Sequence, residues 1–257
     1  EVEGAGTGVI VGENDTELLI ATNYHVVEGA TSLSVGFVDE QSAEAQVKGT
    51  DVDNDLAVVS VKLSDIPDDT MDQIKIATIG DSDELQLGDQ VVAIGNALGY
   101  GQSVTSGYVS ALDRDLTLTY EDGTTITSTG LIQTDAAINS GNSGGALLNM
   151  NGELIGINEA KSSSTSSGAS VDNVGFAIPI DKAQSSLQEM MNQETREKVD
   201  EDQASYLGIQ GSDVSAEVSE LYGVPSGVVV AEIIENGPAA EAGMQKGDII
   251  TGFDGRT

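Results

Sequence analysis

A single histidine and a glycine-bracketed serine are the residues of this chain best suited to nucleophilic catalysis. The 257-residue sequence has one histidine, His25, so any chemistry that needs an imidazole base depends on it. Ser143 stands within Gly141–Gly145, which reads GNSGG. Small neighbours let a substrate carbonyl approach the hydroxyl, and they let the backbone N–H groups of Gly141 and Ser143 point to one place where an oxyanion would form. The same run is also typical of an ordinary hairpin loop.

The third group required is a carboxylate that holds the imidazole in one tautomer. Asp51, Asp53 and Asp55 compete for this role, and Asp55 directly precedes an apolar run that would hold it on a strand. The same segment also suggests a calcium loop, but Leu56 and Lys62 occupy the positions where such a loop needs glycine and glutamate. The order His, Asp, Ser is that of the chymotrypsin-type β-barrels, whereas α/β-hydrolases and subtilisins use other orders.

The elements that would position these groups are short β-type runs, separated by Gly, Asn, Asp and Ser, from residue 1 to about residue 180. Their recurrence about every 8–12 residues predicts an all-β sandwich or barrel. One helix is predicted from residue 181 to about residue 201. Its apolar residues at helical spacing are Ala183, Leu187, Met190 and Met191. Strands and a short helix start are predicted from residue 206 onward.

Composition excludes several classes of function. The chain carries 43 acidic and 10 basic side chains, a formal charge of −33, so nucleic acids and anionic membranes are excluded as partners by repulsion. This charge indicates high solubility, with a preference for basic substrates as the alternative interpretation. The absence of cysteine excludes disulfides, thiol catalysis and cysteine zinc sites. No metal or cofactor is suggested, and no apolar stretch of about eighteen residues predicts a membrane span.

Beyond these residue types, the sequence resembles the HtrA/Deg serine proteases. The matching phrases run in the family's order over nearly the whole chain: TNYHVV at 22–27, DLAV at 55–58, IGNALG at 94–99, SVTSGYVS at 103–110, GNSGG at 141–145, GIN at 156–158 and GFAIPI at 175–180. Ser140 and Ala146 depart from the pattern, since many members have proline there. The resemblance implies an all-β, chymotrypsin-type double β-barrel followed by a PDZ domain, which is of the α+β class.

The resemblance also implies roles for particular residues. Asp55, rather than its two rivals, becomes the triad acid beside His25 and Ser143, and the loop Gly141, Asn142 and Ser143 forms the oxyanion hole. The residues expected to line the substrate pocket are Ala137, Ile138, Ile157, Asn158, Glu159 and Ala160. The pocket floor is expected to be apolar and uncharged, which predicts cleavage after small or medium aliphatic residues such as Val, Ala or Ile. The carboxylate-binding loop of the PDZ segment would be Tyr206, Leu207, Gly208 and Ile209.

The predicted organisation is a protease domain over 1–185, a helical and acidic linker over 186–204, and a PDZ segment over 205–257. The last segment matches only the N-terminal part of a PDZ domain, so a truncated domain is expected. A signal peptide or a membrane anchor upstream of residue 1 is also expected. Residues 64–72 are predicted to be an inserted surface loop, and the serine-rich residues 161–170 a flexible one.

The function implied is an ATP-independent serine endopeptidase, assembled as a homotrimer, that degrades unfolded or damaged proteins outside the cytoplasm. The expected mechanism is acyl transfer, with activity falling below about pH 6–7 because the imidazole must be neutral to act as a base. One alternative is a chaperone or peptide-binding protein with a latent protease site. The other is a structural β-protein in which residues 141–145 form only a turn.

Overall fold

The computed structural model of the chain describes residues 4–96, 101–119, 125–159, 174–195, 205–214, 218–219 and 222–253. The chain divides into two units, Glu1–Glu197 and Lys198–Thr257. Strands outnumber helices in both units, which confirms the predicted all-β class of the larger one.

Five antiparallel strands form the sheet of the first half of the larger unit, in the order β1-β2-β5-β4-β3. Their bounds are β1 Val9–Glu13, β2 Glu17–Thr22, β3 Leu33–Gly36, β4 Ser42–Asp51 and β5 Leu56–Lys62. The central strands β2 and β5 are apolar on both faces, and each face packs against its own core. Hydrogen bonds join the five described strands in this order, with β1 and β3 at the two ends of the series.

Six strands in the second half of the larger unit close into a barrel, in the order β10-β11-β8-β7-β6-β9. Their bounds are β6 Gln90–Gly95, β7 Ser103–Thr119, β8 Thr125–Thr134, β9 Ala146–Leu148, β10 Leu154–Glu159 and β11 Gly175–Pro179. A buried apolar cluster packs between these strands, with Val91, Ile132, Leu147 and Ile155 among its members. The loops at the strand ends of the two halves carry the predicted catalytic residues.

The segment predicted as an inserted surface loop is instead partly helical and packed. It contains a 3₁₀ turn at Leu63–Asp65 and the helix α2, Asp68–Met71; the earlier helix α1 spans Tyr24–Val27. Ile66 is buried in the core beneath the sheet, and the hydroxyl of Thr70 donates to the Asp39 carboxylate at 2.6 Å. The prediction of a loop was wrong because it rested on the acidic composition of the segment, which gave no sign that Ile66 and Thr70 face inward.

Helix α3, Ile180–Met191, packs on one face of the five-stranded sheet, against β4 and β5. Its buried side chains are Ile180, Ala183, Leu187 and Met190. Burial of each large apolar side chain contributes about 1.5–3 kcal/mol. The helix ends ten residues before the predicted end at residue 201, with Asn192 as its C-cap. The larger unit thus extends past the predicted domain boundary at residue 185.

A buried ion pair fastens the chain after α3 to the sheet. Lys48 Nζ lies 2.6 Å from Glu17 Oε2, with the lysine side chain 4% exposed, and it donates to Thr195 Oγ1 at 3.1 Å. Burial alone would raise the pKa of Glu17, but hydrogen bonds from Lys48, Thr195, Asn14 and Ser60 outweigh burial and lower that pKa to about 2. The ion pair therefore stays charged across the neutral and mildly acidic range.

The described residues of the second unit include three strands, a short helix, and helical positions at 218–219 and 222. The strands are β12 Ile209–Val214, β13 Gly227–Ile233 and β14 Ile249–Ile250, paired antiparallel in the order β12-β13-β14, and the helix α4 is Pro238–Glu241. In the described parts of both units, no helix has the length and apolar character needed to cross a membrane.

Candidate active site

His25 lies in the single helical turn α1, directly after the buried end of β2. Asn23, which precedes this turn, is fully buried, and its side-chain amide donates to the carbonyl oxygen of Asp55 at 3.0 Å. The backbone N–H of Tyr24 donates to the same oxygen at 3.1 Å. Two consecutive residues therefore fix the turn against the segment before β5, independently of the imidazole ring.

Asp55 binds His25 through both carboxylate oxygens. Oδ1 accepts a hydrogen bond from the backbone N–H of His25 at 2.9 Å, and Oδ2 lies 2.7 Å from His25 Nδ1. The carboxylate is withdrawn from water, with the Asp55 side chain 8% exposed against 30% for His25. A proton on Nδ1 directed at this carboxylate leaves Nε2 with a lone pair, so the ring can accept a proton there.

The backbone of Asp55 is strained to place that carboxylate. Its φ is +52°, a left-handed conformation that few residues other than glycine adopt. The side chain of Asp51 helps to hold the turn, since it accepts hydrogen bonds from Asn54 N at 3.1 Å and Asn54 Nδ2 at 2.8 Å. Strain of this kind persists only where surrounding contacts over-determine the conformation.

The structure distinguishes the three aspartates that the sequence left in competition. Asp51 faces helix α3, where Ser186 Oγ donates to it, and Asp53 is exposed. Burial alone would raise the pKa of Asp51, but hydrogen bonds from Ser186 and Asn54 lower it overall. Among these three side chains only that of Asp55 contacts His25.

The loop that carries Ser143 is held by its backbone. The N–H of Asn142 donates to Asn139 O at 2.9 Å, that of Gly144 to Asn158 O at 3.0 Å, and that of Gly145 to Asn142 O at 2.9 Å. Between these bonded groups, the N–H groups of Gly141 and Ser143 donate to no acceptor among the described residues. The two donors predicted to form an oxyanion hole are therefore the two left available for a ligand.

Gly144 occupies a position that only glycine fits. Its φ is +80°, and an added Cβ would overlap both the Thr22 hydroxyl and the Thr7 carbonyl oxygen. Gly95 supports the same loop from the other side, where an added Cβ would lie 2.8 Å from Asn142 Cα. Gly144 and Gly95 thus allow the Ser143 loop to pack closely against its neighbours.

The Ser143 loop packs beside the turn that carries His25. Gly6 lies between them: an added Cβ there would be 2.6 Å from Val26 Cγ1 and 3.3 Å from Ser143 O. In the described part of the chain, no hydrogen bond joins Ser143 Oγ to the His25 ring. Catalytic hydrogen bonds are often long without substrate and tighten in its presence, so this arrangement is compatible with a nucleophile and its base.

The predicted pocket residues divide into exposed and buried members. Ala137 is exposed and Ile138 half-buried, whereas Ile157 and Asn158 are fully buried. Asn158 donates from its side-chain amide to Ile94 O and Ala146 O, at 3.2 and 3.0 Å, and its backbone bonds Gly144 and Gly145, so it holds the Ser143 loop to the barrel. Glu159 is a buried carboxylate that accepts a hydrogen bond from Ser128 Oγ at 2.7 Å. The last predicted member, Ala160, lies outside the described residues.

The sequence did not single out Thr7, Thr22 or Asn23, although all three hold the site. Thr22 and Asn23 stand in the phrase around His25, and adjacency to the lone histidine was the available signal.

In the second unit, the predicted carboxylate loop leads into β12, with Tyr206 and Leu207 exposed and Gly208 buried at a φ of +78°. Elsewhere in the described residues, no group of three or more His, Asp or Glu side chains is placed to hold a metal ion.

Comparison with known families places both units. The model of a trypsin-like peptidase domain matches residues 6–157, and that of a PDZ domain matches residues 205–257. A probable periplasmic serine protease do/HhoA-like of Haemophilus influenzae is 39% identical over 255 residues, which are 98% of this chain and 50% of that protein. The periplasmic pH-dependent serine endoprotease DegQ of Escherichia coli is 39% identical over 257 residues, 99% of this chain and 51% of that protein.

A solved structure has the same fold. The HtrA-type protease AlgW with a decapeptide superposes with a TM-score of 0.57 at 36% identity, covering 95% of this chain and 68% of that one. The chain spans about half the length of the two curated relatives described above.

Proposed function

Because the chain belongs to the HtrA/Deg family of trypsin-like serine proteases, we propose that it is a serine endopeptidase with His25, Asp55 and Ser143 as its catalytic triad. The observation that carries this proposal is the 2.7 Å contact between His25 Nδ1 and Asp55 Oδ2 beside a serine loop with two unengaged N–H groups. Base, orienting acid, nucleophile and oxyanion donors are then all supplied by this chain.

The proposed reaction is acyl transfer. His25 Nε2 takes the proton of Ser143 as its oxygen attacks the scissile carbonyl, and the Asp55 carboxylate stabilises the imidazolium. The N–H groups of Gly141 and Ser143 bind the oxyanion, where one such donor contributes about 10²–10³-fold to kcat. His25 returns the proton to the leaving amine, and water activated by the same nitrogen then releases the acyl group from Ser143.

We propose unfolded proteins as substrates, cut after small or medium aliphatic residues. Two of the predicted pocket residues support the aliphatic preference, since Ala137 and Ile138 bring no charge. Digestion of a peptide library should give fragments ending in Val, Ala or Ile. A majority of fragments ending in Lys or Arg would contradict this preference.

We also propose that the protein acts outside the cytoplasm as a homotrimer. Relatives described as periplasmic support the location, and family membership supports the assembly. Sedimentation equilibrium should give three times the mass of the chain. A monomer mass at every concentration tested would overturn the trimer.

The experiment that tests the activity is degradation of unfolded casein by the parent protein and by Ser143→Ala. The parent should degrade casein, and the variant should be inactive while keeping the parent's unfolding temperature. The alternative, a peptide-binding protein with a latent site, is favoured by the missing hydrogen bond between Ser143 Oγ and His25. Casein that is bound equally by both proteins and cut by neither would establish that alternative.

A further inference from the structure

Thr7 lies outside the triad, in the segment before β1, yet it holds both ends of the nucleophile loop. Its hydroxyl donates a hydrogen bond to Gly141 O at 2.6 Å. Its backbone N–H donates to Ser143 O at 2.8 Å. One residue thus fixes the carbonyl groups of the two residues whose N–H groups are the proposed oxyanion donors.

The same residue joins the loop to both halves of the larger unit. The Thr7 hydroxyl accepts a hydrogen bond from Asn96 N at 2.8 Å, just after the barrel strand β6. The Thr7 carbonyl accepts one from Thr22 Oγ1 at 2.7 Å, at the end of β2 and three residues before His25. Thr7 therefore connects the strand that leads to the base with the loop that carries the nucleophile.

The glycines on either side of Thr7 make this close approach possible. An added Cβ on Gly6 would lie 2.6 Å from Val26 Cγ1, and one on Gly8 would overlap Ile20. The threonine is half-buried. Its hydroxyl donates one hydrogen bond, to Gly141 O, and accepts one, from Asn96 N, so both are made within the protein. Gly-Thr-Gly at residues 6–8 is thus packed on both sides as well as bonded.

The two hydrogen bonds that Thr7 donates restrain the carbonyl groups of Gly141 and Ser143. The Gly141 carbonyl belongs to the peptide group that carries the Asn142 N–H, and the Ser143 carbonyl to the one that carries the Gly144 N–H; Thr7 bonds both. These two peptide groups flank the one between Asn142 and Ser143, so a rotation that turned the Ser143 N–H away and the Asn142 carbonyl into the proposed oxyanion site would strain both bonds to Thr7. A carbonyl oxygen in that site would repel the developing negative charge instead of binding it.

We propose that Thr7 is the positioning residue of the oxyanion loop, holding it with the N–H groups of Gly141 and Ser143 turned toward the substrate. The inference rests on the proposed protease function. It concerns only a residue that acts through the loop, since Thr7 itself does not contact the reacting atoms.

The test compares Thr7→Val, which keeps the shape and removes the hydroxyl, with Thr7→Ser, which keeps the hydroxyl. Steady-state kinetics on a peptide substrate, and binding of a peptide aldehyde that forms a tetrahedral adduct, are measured for each. Thr7→Val should lower kcat by about tenfold or more with KM within about twofold, and weaken the aldehyde by a similar factor. Thr7→Ser should remain within about threefold of the parent. Thr16→Val, at an exposed turn where the hydroxyl bonds only Asn14, is the matched control and should leave kcat unchanged.

Several results would overturn the inference. A folded Thr7→Val with parental kcat and aldehyde affinity would do so, as would a rise in KM alone or a loss that Thr7→Ser shares. If Thr7→Val does not fold, Thr7→Cys replaces it, because a thiol is a weaker donor than a hydroxyl and kcat should fall between the serine variant and zero. A Thr7→Cys enzyme as fast as Thr7→Ser would reject the proposal. An inactive parent would instead reject the protease function itself, so the two failures are distinguishable.

Discussion

The two halves of the candidate active site are held by different kinds of contact. The His25 half depends on side chains, since one carboxylate, that of Asp55, binds both the backbone and the ring of the histidine. The Ser143 half depends on the backbone, with three loop N–H groups bonded to carbonyl oxygens and Gly144 at a φ of +80°. A half built from side chains can be weakened in steps by conservative substitution, whereas a half built from backbone conformation fails when a single methyl group is added.

The largest loss of stability, accompanied by a loss of activity, is expected from Gly144→Ala. Left-handed φ costs about 1 kcal/mol for a residue with a Cβ, and overlap with Thr22 and the Thr7 carbonyl adds about 1–3 kcal/mol more. The loop must shift to relieve the overlap, so kcat should fall by at least about 100-fold. Urea unfolding and casein cleavage measure the two effects.

Gly152→Ala is the matched control for that substitution. Gly152 has a φ of +79°, almost the same as Gly144, but no atom lies within 4 Å of the position of an added Cβ. This variant should lose about 1 kcal/mol of stability and keep parental kcat. Equal losses of activity in the two variants would show that the left-handed backbone, rather than overlap of the added methyl group with Thr22 and Thr7, causes the loss at Gly144.

The next effect is that of Asp55→Asn, which tests the half built from side chains. The substitution keeps the shape but favours the wrong imidazole tautomer, so kcat should fall by about 10⁴-fold with the fold intact. The control is Asp51→Asn, which changes a carboxylate four residues away that bonds Asn54 and Ser186. A decrease of less than about tenfold is expected there, as measured by peptide cleavage. An Asp51→Asn enzyme as slow as Asp55→Asn would reverse the assignment of the acid.

The smallest effect on activity is expected at the buried ion pair, which lies in neither half of the site. The folded-state pKa of Glu17 is about 2, below its ordinary value of 4.5, so the pair's stabilisation is present above about pH 4.5 and is lost as pH falls toward 2. Glu17→Gln should flatten the fall in unfolding free energy across that range, and kcat at pH 8 should change by less than about twofold. A variant whose acid sensitivity equals the parent's would contradict the lowered pKa.

The residues of the His25 half were accessible to sequence reasoning to different degrees. His25 followed from its uniqueness, because no other side chain supplies an imidazole. Asp55 did not follow from residue types, since three aspartates lie within five positions, and only the resemblance ranked them. The deciding contact joins residues thirty positions apart and depends on a φ of +52°, which no local pattern encodes.

The contacts that the sequence did not reveal are long-range ones made by unremarkable residues. Thr7 bonds Gly141, 134 positions away, and Lys48 bonds Thr195, 147 positions away. Short apolar runs bounded by Gly, Asn, Asp and Ser predicted strands such as β2 and β5, because buried strands are short and end at turns. The helix start near residue 181 was likewise predictable from apolar spacing, but its end at Met191 was not.

The measurement that tests the central claim most directly is labelling of the native protein with a fluorophosphonate, followed by mapping of the adduct by mass spectrometry. We expect a single adduct on Ser143, because its oxygen is the proposed nucleophile. Asp55→Asn should slow its formation far more than Asp51→Asn does. An adduct on another serine, or none at all from a protein that still degrades casein, would contradict the account.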